Sequence, residues 1–489
     1  MTILKDGVSD KYELVVGLEV HVQLSTLSKS FSSDSAAFGG GPNEHISPVS
    51  LGHPGTLPRI NRKMVEYAVK MGISCNCAIN LHNNFSRKNY FYADLPKGYQ
   101  ITQDQAPLCL SGFVTVRLAD GSKKNIALHH IHMEEDAGKS MHDQHHADSF
   151  IDLNRAGVPL IEIVTEPDMR SSEEAGQFLT EIRKLVRYLD ICDGNMEEGS
   201  LRCDANISVR LKGETAYGNR CEVKNLNSIR NVQRAIEHEF ERQVNVIENG
   251  GFIEQNTLNF NADTGETSVL RSKEMANDYR YFPEPDLMPL VLANEFVEKI
   301  RRGLPALPNA LFEKYTSKLG LSEYDAGVIT ADKDFASYFE EIIKHTDHYK
   351  AAANWLMGHI KSYLNEKGLL IGDFGVKPSA IAGLIKLVDT GKINNSLAAH
   401  KLFPALIENG GKGPEDLAKE MNLLISEDNA DVSKYISDAL AKFPDKVKEY
   451  QKGKKGVIGL FMGEIMKVSK GKIDPQQTNQ LLIKELESK

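Results

Sequence analysis

Three stretches of the sequence place carboxylates, a histidine and carboxamides at every second position. Ser200 to Arg210 alternates Leu201, Cys203, Ala205, Ile207 and Val209 with Arg202, Asp204, Asn206, Ser208 and Arg210. Leu14 to Leu24 presents Glu19, His21 and Gln23, and Arg220 to Lys224 presents Arg220, Glu222 and Lys224. A period of two is that of a β-strand with one packed and one free face. Short carboxylates and carboxamides on such a face are hard oxygen donors suited to Mg²⁺, and a histidine among them also admits Mn²⁺ or Zn²⁺. Glu134-Glu135-Asp136, at the end of another strand and before the turn at Gly138, adds three acids of the same kind. The continuation Gly138-Lys139-Ser140 does not make a phosphate loop: its required first glycine would fall at Met133, and no strand-to-helix frame surrounds it.

The elements that must position these residues are legible in outline. The loop Lys212 to Asn219, with Gly213 and Gly218, makes the strands on either side of it candidate neighbours in an antiparallel hairpin. Asp120-Gly121 joins strands near Phe113 to Leu118 and Lys124 to Met133. The apolar run Val158 to Val164 predicts a largely buried strand. Helices are expected over 62–72, from the Ser171/Glu174 cap to Leu189, and over 228–248, ending at Gly250-Gly251. Pairing the three polar strands would gather Glu19, His21, Asp204 and Glu222 on one surface. A merely solvated sheet face is the competing reading, since antiparallel sheets often leave one side wet.

At 489 residues the chain exceeds a single core and predicts two to four domains. A net charge of −9 excludes a uniformly basic, nucleic-acid-coating surface, so any polyanion site must be local. No apolar run approaches the 18 residues of a membrane span, and Met1 to Asp10 lacks the pattern of a targeting segment. Six scattered cysteines without zinc-ribbon spacing fit a reduced, cytoplasmic protein. No Gly-x-Ser-x-Gly elbow or convincing cysteine nucleophile is present.

Ser86 to Gln103 interleaves Arg87, Lys88 and Lys97 with Tyr90, Phe91, Tyr92 and Tyr99, a mixture suited to phosphate and to stacked bases. His142, His145 and His146 are metal-capable residue types in what is more simply a solvated loop. From about Glu295 sheet patterns give way to helical ones. Between Lys442 and Lys472 nine lysines face three acids, broken by glycines, which marks a local basic patch for an RNA backbone.

Taken together, the motifs Gly17-Leu18-Glu19-Val20-His21, Arg87-Lys88-Asn89-Tyr90-Phe91-Tyr92, His132 to Lys139, Met196 to Asn206, Glu222 to Ser228 and Asp278 to Asp286 resemble those of the aspartyl/glutamyl-tRNA amidotransferase B-subunit family, which includes the archaeal E subunits. The likeness runs from about Tyr12 to the C-terminus. One departure is Ala93, where the family usually has proline. The resemblance implies an α+β fold: an antiparallel-sheet cradle similar to glutamine synthetase (1–294), an all-α domain (295–410) and a small helical YqeY-like tail (411–489) that grips tRNA. It implies Mg²⁺ and ATP as cofactors. ATP would phosphorylate the side-chain carboxylate of Glu-tRNA(Gln) and/or Asp-tRNA(Asn), and ammonia from an amidase A subunit would displace the phosphate, with a small C subunit bridging A and B. Strand-face reasoning and the family positions together make His21, Glu135, Asp204 and Glu222 the expected metal ligands, with Glu19 among or beside them. Glu135, Arg202 and Lys224 are the expected catalytic residues, Arg87, Lys88, Arg202 and Lys224 the expected phosphate contacts, and Lys452, Lys454 and Lys455 the expected tRNA contacts. The alternative is a non-catalytic tRNA-binding scaffold with a structural metal site.

Overall fold

A computed structural model describes residues 9–141, 148–272, 276–409, 411–425, 429–469, 473 and 475–488. The chain forms two compact units, Met1–Asn309 and Ala310–Lys489. The first is built on β1 (Tyr12–Gln23), β2 (Ser86–Asn89), β3 (Tyr99–Thr102), β4 (Phe113–Arg117), β5 (Lys123–Glu135), β6 (Pro159–Thr165), β7 (Leu201–Leu211), β8 (Cys221–Lys224), β9 (Asn256–Phe260) and β10 (Thr267–Ser272). Seven of these run in the order β10-β9-β8-β7-β1-β6-β5, with β4 also on β5 and two short strands completing a ten-stranded sheet. All its pairings are antiparallel except β8 with β9.

Alternation sets which face is buried. Leu18, Val20 and Val22 of β1 join Leu201, Cys203, Ala205 and Ile207 of β7 in one continuous core with Ile161, Ile163, Ile131 and Met133. Against this face pack α1 (Arg62–Ser74), α2 (Ser172–Tyr188) and α3 (Ile229–Glu248). Their apolar stripes are Met64, Val65, Ala68, Val69; Phe178, Leu179, Ile182, Val186; and Val232, Ala235, Ile236. Ser171 and Ser228 cap α2 and α3 by accepting the Glu174 and Asn231 amides at 3.1 Å. Gly250, at φ +75°, follows the end of α3 in the left-handed conformation that glycine adopts freely. Glu239 of α3, fully buried, is held by Arg242 at 2.8 Å and by the Thr267 hydroxyl at 2.5 Å, a charge satisfied before burial can penalise it.

The hairpin expected between the second and third polar strands forms, with Asn206 opposite Glu222. The Asp120-Gly121 hairpin also forms. A mixed α/β architecture with a large sheet therefore stands, and its sheet is not purely antiparallel. Strand β5 runs two residues beyond the expected end, to Glu135.

The second unit is helical. Tyr315 and Phe339 meet edge-on at 5.0 Å, and Trp355 packs near Phe403 at 5.7 Å. Residues Val432 to Leu486 share a core of their own around Phe461, Ile465 and Leu482. Lys452, Lys454 and Lys455 are exposed around Gly453, and Lys454 pairs with Glu449 at 3.0 Å. Among the described residues no helix is long and apolar enough to cross a membrane.

Candidate functional site

Register brings the polar residues of distant segments into one row. His21 of β1 lies opposite Arg202 of β7 on one side and Glu162 of β6 on the other. Glu162 in turn lies opposite His132 of β5, and Glu19 opposite Asp204. Directly opposed residues share a face, so the face turned away from the helices carries Glu19, His21, His132, Glu134, Glu162, Asp204 and Glu222. His21, Glu134, Glu162 and Asp204 of this face line a polar cleft of about 460 Å³ whose walls include Lys88, Tyr90, Arg202, Lys224 and Asn225.

The acids are spaced to share cations. Three sets, Glu19/Asp204/Glu222, Glu19/His21/Glu162 and His132/Glu134/Glu162, each hold donor atoms within 4.8 Å of one another. Glu19 belongs to two of them, and so does Glu162, so the face could hold more than one ion with bridging carboxylates. His21 Nδ1 lies 3.1 Å from Glu134 and 3.9 Å from Glu162, and its Nε2 lies 4.0 Å from Asp204. Burial would push the His21 imidazolium down, but Glu162, Glu134 and Asp204 outweigh it and lift the group to about 9. His132, more deeply buried than His21, is also raised by Glu162 and Glu134 against the effect of that burial. In spite of its burial, Glu134 is held well below the ordinary carboxylate range by His132 and His21.

Basic residues border the acids. Lys224 Nζ reaches Asp204 at 2.5 Å and Glu222 at 3.2 Å, and Glu222 also accepts the Thr257 hydroxyl at 3.0 Å. These carboxylates hold the Lys224 ammonium above its usual range against the effect of burial. Arg202 pairs with Asp136 at 2.7 Å, and Gln23 donates to the same Asp136 oxygen at 2.6 Å. The Arg202 Nε is buried without a hydrogen-bond partner. Lys88, facing the cleft from β2, is raised by Glu134 and Glu162 despite its burial.

Two expected site residues are not brought here. Glu135 follows Glu134 in an extended strand and so points through the opposite face of the sheet. There it pairs with Lys97, accepts the Ile101 amide at 2.9 Å and closes a separate small cavity lined by Lys29, Ser50 and His53. Arg87 likewise faces away from its neighbour Lys88. Its guanidinium grips Glu284 at 2.7 and 2.8 Å and Asp286 at 3.2 Å, and lies 4.1 Å from the Tyr99 ring centre. That bidentate pair ties β2 to the segment 282–286 and leaves Arg87 no reach into the cleft. His21, Glu19, Asp204, Glu222, Arg202, Lys224 and Lys88 do converge. Sequence reasoning counted Glu134 only as one of three adjacent acids and chose Glu135 in its place, and it missed His132 and Glu162; the last was visible as the one acid inside an apolar run. His142, His145 and His146 lie outside the described residues.

Family models match most of the chain: a GatB/GatE catalytic domain over residues 14–298 and a GatB domain over 337–486. The B subunit of the aspartyl/glutamyl-tRNA(Asn/Gln) amidotransferase of Caldicellulosiruptor bescii is 48% identical over 480 residues, covering 98% of this chain and 99% of the relative. The corresponding B subunits of Syntrophotalea carbinolica and Geobacter sulfurreducens are 46% and 47% identical, again over 99% of their lengths and 98% and 97% of this one. A polar sheet face with the expected acids, carried on a chain alike from end to end, leads to one conclusion: this chain belongs to the family of aspartyl/glutamyl-tRNA(Asn/Gln) amidotransferase B subunits.

Proposed function

We propose that the chain activates the side-chain carboxylate of Glu-tRNA(Gln) and/or Asp-tRNA(Asn) with ATP and presents it to ammonia. The observation that carries this reading is the acid row, of which Glu134, Glu162 and Asp204 line one cleft with Lys88, Arg202 and Lys224. A carboxylate is a poor acyl donor. Phosphorylation turns it into an acyl phosphate, which ammonia opens to an amide with release of phosphate. The chain must therefore hold two anions, a γ-phosphate and a carboxylate, against their mutual repulsion. Lys88, Arg202 and Lys224 are placed to offset it. A basic group so positioned typically lowers the barrier by on the order of 3 kcal/mol.

The residues fit a divalent cation. Five clustered carboxylates, of which Glu162, Glu134 and Asp204 lift His21 to about 9 and Glu162 and Glu134 also raise His132, amount to a site lacking positive charge. Glu19, His21, Glu134, Glu162, Asp204 and Glu222 would hold Mg²⁺, with Glu134 taking the part expected of Glu135. When bound, the ion supplies charge neutralisation at the transferring phosphoryl group. Beside Glu19 a hollow walled by Val15, Pro167, Ser208 and Tyr217 opens on the same face and offers the nucleoside of ATP a place.

The cysteines of the chain do not support its making ammonia itself. All six cysteines are buried. Burial pushes the Cys77 and Cys192 thiols up to about 12 and the other four upward as well, away from nucleophilic thiolates. We therefore assign ammonia supply to an amidase A subunit, with a C subunit completing the complex, in the cytoplasm. Residues 1–294 would form the catalytic cradle, 295–410 a helical domain and 411–489 the tRNA-binding tail, the separate core of Val432 to Leu486 supporting the last division.

Three outcomes follow. In the assembled enzyme, Asp204→Asn and Glu134→Gln retain binding of charged tRNA but lose about 100-fold or more of the tRNA-dependent ADP formation; unchanged ATP turnover would favour the scaffold reading. Below the ordinary histidine value near 6.5, protonated His21 stabilises the cation-free fold in full, and that contribution disappears as pH rises through about 9. Cation-free thermal stability therefore falls across this window, while Mn²⁺ affinity rises with proton release, both measurable by melting and calorimetry. Neutralising Lys452, Lys454 and Lys455 weakens tRNA binding at low salt and flattens its salt dependence by about two to three units of slope.

A further inference from the structure

Running through Tyr90 in the wall of the cleft, four tyrosines from two distant segments form an unbroken edge-to-face ladder. Tyr92 meets Tyr90 at 5.8 Å, Tyr90 meets Tyr279 at 6.2 Å, and Tyr279 meets Tyr281 at 5.9 Å between ring centres. Asn89 ties the segments together by donating to the carbonyls of Tyr279 at 3.1 Å and Arg280 at 2.8 Å. Lys88 joins the ladder to the acids: it lines the cleft and its Nζ stands 4.7 Å from the Tyr279 ring centre. Arg280 is exposed, sits at φ +45°, a conformation costly for a residue with a Cβ, and has no ion-pair partner among the described residues. Tyr92 is half exposed.

Ring packing that served only to join two loops would not require an exposed end, a strained arginine beside it and a lysine running into the cleft. An aminoacyl-tRNA supplies what fits all three. Its reacting carboxylate hangs on the terminal ribose, so the last base must lie at the edge of the cleft that takes the carboxylate. Aromatic rings stack on bases, and arginine meets the adjoining phosphate bidentately. We propose that the Tyr92-Tyr90-Tyr279-Tyr281 ladder, with Arg280, seats the 3′-terminal nucleoside of the charged tRNA. This rests on the function proposed above and names where its substrate is gripped.

The test uses the chain assembled with its partner subunits and two probes: the charged tRNA, and 3′-deoxyadenosine carrying a 3′-amide-linked glutamate or aspartate as inhibitor. Tyr92→Ala raises KM for charged tRNA and the inhibition constant of the small probe by about 10-fold each, with kcat little changed. Arg280→Ala raises KM for the tRNA in a salt-dependent way and leaves the small probe, which has no phosphate, unaffected. Phe91→Ala, whose ring turns the other way to lie over Gly98, changes neither value. Equal KM and inhibition constants for Tyr92→Ala and the unaltered chain would overturn the assignment, as would a probe that fails to inhibit the unaltered chain. Charged-tRNA-dependent ADP formation by the unaltered chain, recorded alongside, separates failure of this seat from failure of the function beneath it.

Discussion

Five carboxylates share one partly buried sheet face, and nothing else in the first unit can be understood apart from their repulsion. At separations below 5 Å, like charges in a medium of intermediate dielectric disfavour one another by several kcal/mol. The sheet tolerates this because its other face is a continuous apolar core packed by three helices, so the strands cannot slip to relieve it. A shift of one residue in register would turn Leu18, Val20 and Val22 outward and bury the acids in their place. Hydrophobic burial thus fixes the positions, and the acids are left to find positive charge where they stand.

In the cation-free chain that charge comes from protons and lysines. His21, lifted to about 9, holds a proton near neutrality, Glu162 and Glu134 raise His132 in the same direction, and Lys224 leans onto Asp204 and Glu222. These partners are of the kind a divalent ion would displace, which would free Lys224 for a phosphate. Structural pairs look different. Arg87 with Glu284, and Glu239 with Arg242, are bidentate or nearly so, lie outside the cleft and hold one element to another. The distinction rests on geometry rather than residue type, since the same acids and bases serve both ends.

Much of the site was legible in the sequence because strict alternation declares its own phase. Glu19 and His21 in β1, and Asp204 in β7, stand between apolar neighbours, and alternation alone puts each on the correct face. The errors fall where the phase could not be read. With the strand expected to end at Met133, the run of three acids beyond it carried no parity; β5 continues through Glu135, so Glu134 joins His132 above the sheet and Glu135 goes below. Ser86 to Asn89 has no apolar residue to fix its phase, so Arg87 and Lys88 looked equivalent although they face opposite ways. Glu162 stood out as the one acid of an apolar run, but a strand read as buried on both sides assigned it no free face, and the Arg202–Asp136 pair joins residues 66 apart in sequence, a contact only the fold reveals. In the helical second unit, periodicity located helices but carried no chemistry beyond the basic run.

The account hangs on where a divalent ion settles. Crystals of the chain soaked in Mn²⁺ and recorded at the manganese absorption edge would show it directly. Anomalous density bounded by Glu19, His21, Glu134, Glu162, Asp204 and Glu222 is the predicted result. Density beside Glu135 and Lys97 on the far side of the sheet, or none between the two histidines and the acid row, would contradict it.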